Sequence, residues 1–96
     1  MFARSSTWSG SGAALEKWAE HVVTHVGPAV QRLAGNSGAV FVIDRSGGRA
    51  VTLTLWESEE AAIASDQFAE QSRARTVEAT GVELLERGRY EVVARV

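Results

Sequence analysis

Arg49-Ala50-Val51-Thr52-Leu53-Thr54-Leu55-Trp56-Glu57-Ser58-Glu59-Glu60-Ala61 reads as a strand that stops at a tryptophan and turns directly into a helix. Val51, Leu53 and Leu55 alternate with Thr52, Thr54 and Trp56, the two-residue period of a strand with two different faces. Ser58 stands where it caps the next helix, and Glu59 and Glu60 fall in its first turn, where the helix dipole favours negative charge.

Upstream, Phe2 to Trp8 predicts a first, moderately polar strand. Ser9-Gly10-Ser11-Gly12 is a loop with Ser11 as N-cap of a first helix. Leu15, Trp18, Val22, Val26, Ala29 and Leu33 share one stripe of that helix. Pro28 cannot donate to the carbonyl of Thr24, so a kink or break is expected at Gly27-Pro28, with a short second piece to about Leu33. Gly35 suits the left-handed position after it. Ala39 to Asp44 predicts a second strand, apolar on both parities and expected to be covered on both faces. Arg45-Ser46-Gly47-Gly48 is a hairpin loop.

Downstream of the quoted stretch, one helix is expected from about Glu59 to Ala79. Its inward stripe is small: Ala61, Ala64, Ser65, Phe68 and Ser72, with Arg75 at the end. Val82 to Val96 predicts a long last strand, with Val82, Leu84, Tyr90 and Val92 on one parity and Glu83, Arg87, Arg89 and Glu91 on the other. Gly88 is the expected bend or bulge. The order is βαββαβ, a ferredoxin-like α+β fold with a four-stranded antiparallel sheet in one domain, residues 1–96.

A chain this short buries roughly 60–70% of its unfolded surface, and small domains often lean on disulfides, metals or oligomerisation. There is no cysteine, which excludes disulfides and thiolate metal sites. Helices cover only one face of such a sheet, yet the second strand is apolar on both parities and the third carries Val51, Leu53 and Leu55 opposite its threonines. A second copy of the sheet would cover that face, so a homodimer is expected. A net charge of −2 supplies no footprint for nucleic acid. No apolar run approaches a membrane span, and Met1 to Trp8 lacks the basic-then-apolar pattern of a signal peptide. The expected location is cytoplasmic. Arginine outnumbers lysine nine to one, which points to a GC-rich bacterial genome.

The Trp-ended first strand, the Pro-interrupted first helix, Leu55-Trp56-Glu57-Ser58-Glu59-Glu60-Ala61 and the closing Tyr90-Glu91-Val92-Val93-Ala94-Arg95-Val96 together resemble the antibiotic biosynthesis monooxygenase-like family, over nearly the whole chain. The resemblance implies a face-to-face dimeric α+β barrel with a pocket between sheet and helices in each subunit. It also implies oxidation of an electron-rich aromatic without metal or other cofactor. The pocket tryptophan of the haem-degrading and polyketide-oxidising branches matches Trp56. Three other family positions are not matched. The first-strand asparagine falls in Arg4-Ser5-Ser6-Thr7, the haem-ligating histidine at Ser72, and a histidine common in other members at Ser65. Haem ligation by the family's route is therefore not expected.

Trp56 is the leading site residue, either against a ligand or as a core indole bonded to a hydroxyl or carbonyl. Thr52 and Thr54 join it if its face lies under the helices, with Ser65, Phe68 and Ser72 opposite as further substrate-binding residues. Catalytic candidates are Trp56, His25 as a pocket base and Arg75 as an anion contact. Arg73 could also reach an anion, and both arginines could equally sit on a solvated helix face. Trp8 is placed at the cleft mouth or against a partner, Trp18 in the core, and Ser5, Ser6 and Thr7 on the pocket wall. His21 and His25 are four apart on one helix with no third ligand near in sequence, so no metal is expected, and His21 is expected to be exposed. The expected function is a cofactor-independent monooxygenase acting on a small phenol- or quinol-like aromatic. The alternative is a non-catalytic dimeric ligand-binding or structural protein of the same fold.

Overall fold

The structure, a computed structural model, describes residues 1–96. Strand β1 (Phe2–Ser9) leads into helix α1 (Gly12–His21), a π-helical turn (Val22–Val26) and helix α2 (Gly27–Gln31). Strands β2 (Asn36–Asp44) and β3 (Arg49–Trp56) form a hairpin. Helices α3 (Glu59–Ala64) and α4 (Asp66–Thr80) precede strand β4 (Glu83–Glu91). The sheet is antiparallel throughout, in the order β2-β3-β1-β4. The ferredoxin-like α+β architecture is the expected one.

Both serine caps form. Ser11 Oγ accepts from the Ala14 N–H at 3.1 Å, and Ser58 Oγ accepts from the Ala61 N–H at 3.1 Å. The register of β1 on β3 sets Arg4 opposite Thr54, Ser6 opposite Thr52 and Trp8 opposite Ala50. These residues and Trp56 face the helices. Trp8, Leu15, Trp18, Val22, Ala50 and Val82 pack as one cluster, and Val30, Trp56 and Ala62 as a second. Between the two lie Ser6, Thr52 and Thr54, small hydroxyl side chains where a continuous core would carry large apolar ones.

Several expectations are corrected. The interruption expected at Gly27-Pro28 is present, with α2 as the short second piece, but it takes the form of a π turn and the second piece ends at Gln31 rather than Leu33. The Gly27 N–H reaches back five residues to the Val22 carbonyl, and the added residue in that turn re-phases the side chains of α2. Val30 is therefore the buried residue of α2, rather than Ala29 or Leu33. The second helix is broken at Ser65, whose hydroxyl donates to the Ala62 carbonyl at 2.7 Å, while Arg4 Nη2 donates to the same carbonyl at 2.5 Å. Ala62 before the break and Ala69, Thr76 and Thr80 after it are buried, whereas Ala64 and Arg75 are exposed. Strand β2 begins three residues earlier than expected, where the Asn36 amide bonds the Gly38 and Leu55 carbonyls.

The bulge of β4 is at Leu85, not Gly88. Thr7 pairs with Glu86, but Trp8 pairs with Leu84. The skipped residue puts Leu84 on the helix side and leaves Tyr90 on the other face, so the two do not share a side as an unbroken alternation would require. The strand also ends at Glu91 rather than Val96. Val92 makes one more bond, to the Met1 carbonyl at 2.9 Å.

The face away from the helices carries Val40, Val42, Val51, Leu53, Leu55 and Tyr90. Val40 and Val42 are each 50% exposed and Tyr90 52%. Strand β2 is thus covered on one side only within a single chain.

Candidate functional site

The space between the two core clusters is a cavity of about 40 Å³ under the helices. Its floor is Ser6, Trp8, Thr52, Thr54 and Trp56, and its roof comes from the first helical segment (Trp18, Val22, Val26, Val30) and from α4. The α4 side supplies Phe68, Ser72, Arg73 and Thr76, with Ser65 at the break between α3 and α4. The six residues expected to bind substrate (Thr52, Thr54, Trp56, Ser65, Phe68 and Ser72) are thus brought together around one space. At roughly 10–15 Å³ per water, it has room for a few water molecules.

The two floor indoles are tied down. Trp56 is 2% exposed and its Nε1–H donates to Thr54 Oγ1 at 3.0 Å. Trp8 is equally buried, neither at a mouth nor on an outer surface, and its Nε1–H donates to Thr52 Oγ1 at 3.2 Å. Each threonine lies two residues along β3 from the other, so the strand period itself lines up the acceptors.

The free donors belong to other residues. Buried side-chain nitrogens without any acceptor are Arg4 Nε, Trp18 Nε1 and Arg73 Nε, and all three residues line this cavity. Buried polar groups are normally paired, so these three donors, all from residues lining one cavity, leave it with unmet hydrogen-bonding capacity that water or another acceptor can fill. Arg4 is held by Ala62, by Ser65 Oγ at 3.1 Å and by an ion pair with Asp66. Burial, then the nearby Arg87 and Arg4 cations, lower the pKa of Arg73, against the weaker pull of Glu70 and Asp66. The basic character of the site therefore comes from β1 and the middle of α4.

His25 and Arg75 do not line the cavity. They lie together in a shallow outer groove with His21, and His25 is exposed. The two imidazoles are 5.2 Å apart between ring centres. His21, expected to be exposed, is half-buried, and burial followed by the His25 charge lowers its pKa. No group of three potential metal ligands occurs. The polar and aromatic lining residues that the sequence reading did not place in the cavity are Arg4, Trp18 and Thr76. Arg4 alternates in phase with Ser6 and Trp8, which was the available signal. The pairing of Arg4 with Ser65 across 61 positions left none.

Several solved structures share this architecture. The chain aligns along its full length with a Deinococcus radiodurans protein assigned to the antibiotic biosynthesis monooxygenases (TM-score 0.74, 18% identity, 96% of that chain). It aligns equally well with the ActVA-Orf6 monooxygenase of Streptomyces coelicolor, crystallised with nanaomycin D (TM-score 0.74, 17% identity, 99% of this chain and 89% of that one).

The chain is antibiotic biosynthesis monooxygenase-like in fold.

The haem degrader MhuD of Mycobacterium tuberculosis, solved with two haems in its active site, shares this monooxygenase-like fold at a TM-score of 0.67 and 24% identity, covering 100% of this chain and 99% of that one. A dimeric ferredoxin-like protein from an uncultured marine organism does so at 0.71 and 14% identity, covering 100% and 98%. No protein-family model matches the chain. Over 81 residues it is 32% identical to the uncharacterized M. tuberculosis proteins Rv2557 (strain H37Rv) and MT2634 (strain CDC 1551). The match takes in 84% of this chain and 36% of theirs, so the chain spans about a third of the length of the curated relatives it matches. No helix is long and apolar enough to cross a membrane.

Proposed function

We propose that this domain is a cofactor-independent monooxygenase that binds a small phenol- or quinol-like aromatic between its sheet and its helices. The observation that carries the reading is the set of orphaned donors, Arg4 Nε, Trp18 Nε1 and Arg73 Nε, beside an indole floor. Two cations and an indole N–H favour the ionised form of a phenol over the neutral one, and more strongly away from water. An ionised phenol conjugated to a reactive carbon is electron-rich enough to reduce O2 directly. A C–H methylene becomes a carbonyl, one oxygen atom enters the carbon and the other leaves as water. In this reading the protein excludes water, holds the ring and stabilises the oxyanion. Monooxygenases among the structures sharing the fold support it.

The reading includes a homodimer through the open sheet face, supported by Val40, Val42 and Tyr90 standing half exposed on the side away from the helices and by a dimeric protein of the same fold. We place the domain in the bacterial cytoplasm, where reduced thiols make disulfide-free domains the rule.

A ring must open the cavity before it can enter. Its present volume is about 40 Å³, whereas an apolar cavity of about 150 Å³ admits benzene. All of the floor but Thr52 is buried, while Phe68, Ser72 and Arg73 are only half-buried, so in this reading α4 supplies the wall that moves. The small volume also favours the second reading, a binding or structural module without turnover. O2 consumption with anthrone- and quinol-type compounds separates the two. Uptake above the buffer blank, reduced at least tenfold in Arg73→Gln, is expected. Rates equal to the blank across the panel would leave the non-catalytic reading.

A further inference from the structure

Beside the cavity, on the flank between α4 and the edge strand β4, lies a cleft of about 300 Å³ with no hydrophobic residue in its wall. Arg4 and Arg73 line both spaces, so the two are neighbours with these side chains between them. Arg87 and Arg89 of β4 complete a group of four arginines, set against only Asp66 and Glu70. A local excess of positive charge thus stands on a chain whose net charge is −2.

Two of the arginines are already engaged. The Asp66 carboxylate bridges Arg4 on one oxygen and Arg89 on the other, the latter at 3.6 Å. It shows how a carboxylate sits across β1 and β4. The other two are not engaged, since none of the chain's three salt bridges includes Arg73 or Arg87. Arg73 reaches in from α4 and Arg87 from the neighbouring β4, two like charges near enough to act on one another and neither closed into a salt bridge by Glu70 or Asp66. Such a pair is costly while empty and is relieved by an anion held between the guanidinium planes. The Nε of Arg73, which lines both spaces, is buried without an acceptor.

We infer that the ligand of this site is a carboxylated aromatic, its carboxylate bound between Arg73 and Arg87 and its ring directed past Arg4 toward Trp56. This rests on the proposed aromatic-binding site, and it adds the charge that selects among aromatics. Glu70, in the same cleft and without an ion-pair partner, is the opposing charge that tempers the affinity.

The test measures binding rather than turnover, by quenching of tryptophan fluorescence with two matched probes, hydroquinone and 2,5-dihydroxybenzoate. The wild type is expected to bind the carboxylated probe about tenfold more tightly, as a charge-assisted bidentate contact would give. That preference should shrink toward unity in Arg87→Gln, an exposed edge position. In Glu70→Gln it should grow severalfold, and raising the salt should weaken it. The Glu70 variant keeps the test decisive if an arginine variant folds poorly, because loss of structure cannot tighten binding. Equal affinity of the wild type for both probes would overturn the inference, as would a preference unchanged in both variants. A protein that consumes O2 with neutral quinols yet shows no preference would retain the proposed function and lose this one. An inactive protein that selects the carboxylate would do the reverse.

Discussion

Trp56 has no freedom in this fold. Its ring is closed in by Val30 and Ala62, and its N–H is committed to Thr54. The indole is therefore a shaped wall, and hydrogen-bonding to a ligand falls to Trp18 and the two arginines. Replacing Thr54 by Val keeps the shape and removes the acceptor. We expect Thr54→Val to lose about 1–3 kcal/mol of unfolding free energy, the range for leaving a buried donor unpaired, read by urea denaturation. A loss no greater than that of an exposed Thr→Val control would mean that Trp56 finds another acceptor. At this scale the sequence revealed much of the site, because Thr52, Thr54 and Trp56 follow from a two-residue period. The role of Arg4 was not legible. A lone arginine in a polar strand looks solvated until a helix break from the far half of the chain is laid over it.

Two glycines distinguish element ends that are locally strained from those that are also crowded. Gly81 ends α4 at φ 81° with its N–H on the Val77 carbonyl at 2.9 Å, and an added Cβ would meet nothing nearer than 3.9 Å. Gly35 follows the α2 segment at φ 79°, and there a Cβ would come within 2.5 Å of the Ala61 Cβ. Gly81→Ala should therefore cost about 1–2 kcal/mol, the penalty of the left-handed region alone. Gly35→Ala adds overpacking of about 1–3 kcal/mol between α2 and α3. Thermal melts of the two variants check the order, and an equal loss for both would contradict the close approach of Gly35 to α3. Element existence was legible throughout from caps and periods. Phase was not. One extra residue in the π turn and one at the Leu85 bulge each shift every later side chain; Gly27-Pro28 marked an interruption but not its extra residue, and nothing around Leu85 marked the bulge.

The whole molecule is a sheet with one open face. Helices cover one face of the sheet, and the aliphatic side of β2 and β3 with Tyr90 is left to water in a single chain. If a second copy covers it, Leu53→Asp places an unpaired charge in the interface. We expect the wild type to sediment as a dimer, and Leu53→Asp as a monomer with a lower melting temperature. A wild-type monomer would remove the dimer from the account, and a dimeric variant would move the interface to another face. By itself the sequence determined the βαββαβ order, the two serine-capped helix starts, the two-sided β3 strand and the surplus apolar face, because each depends only on neighbours a few residues apart. Only the tertiary structure decided that the threonine face lies under the helices as a small cavity, that His25 and Arg75 stay outside it, and that arginines from β1, α4 and β4 meet at its flank. Those placements depend on pairings dozens of residues apart and on two single-residue shifts of phase, and local periodicity carries no information about either.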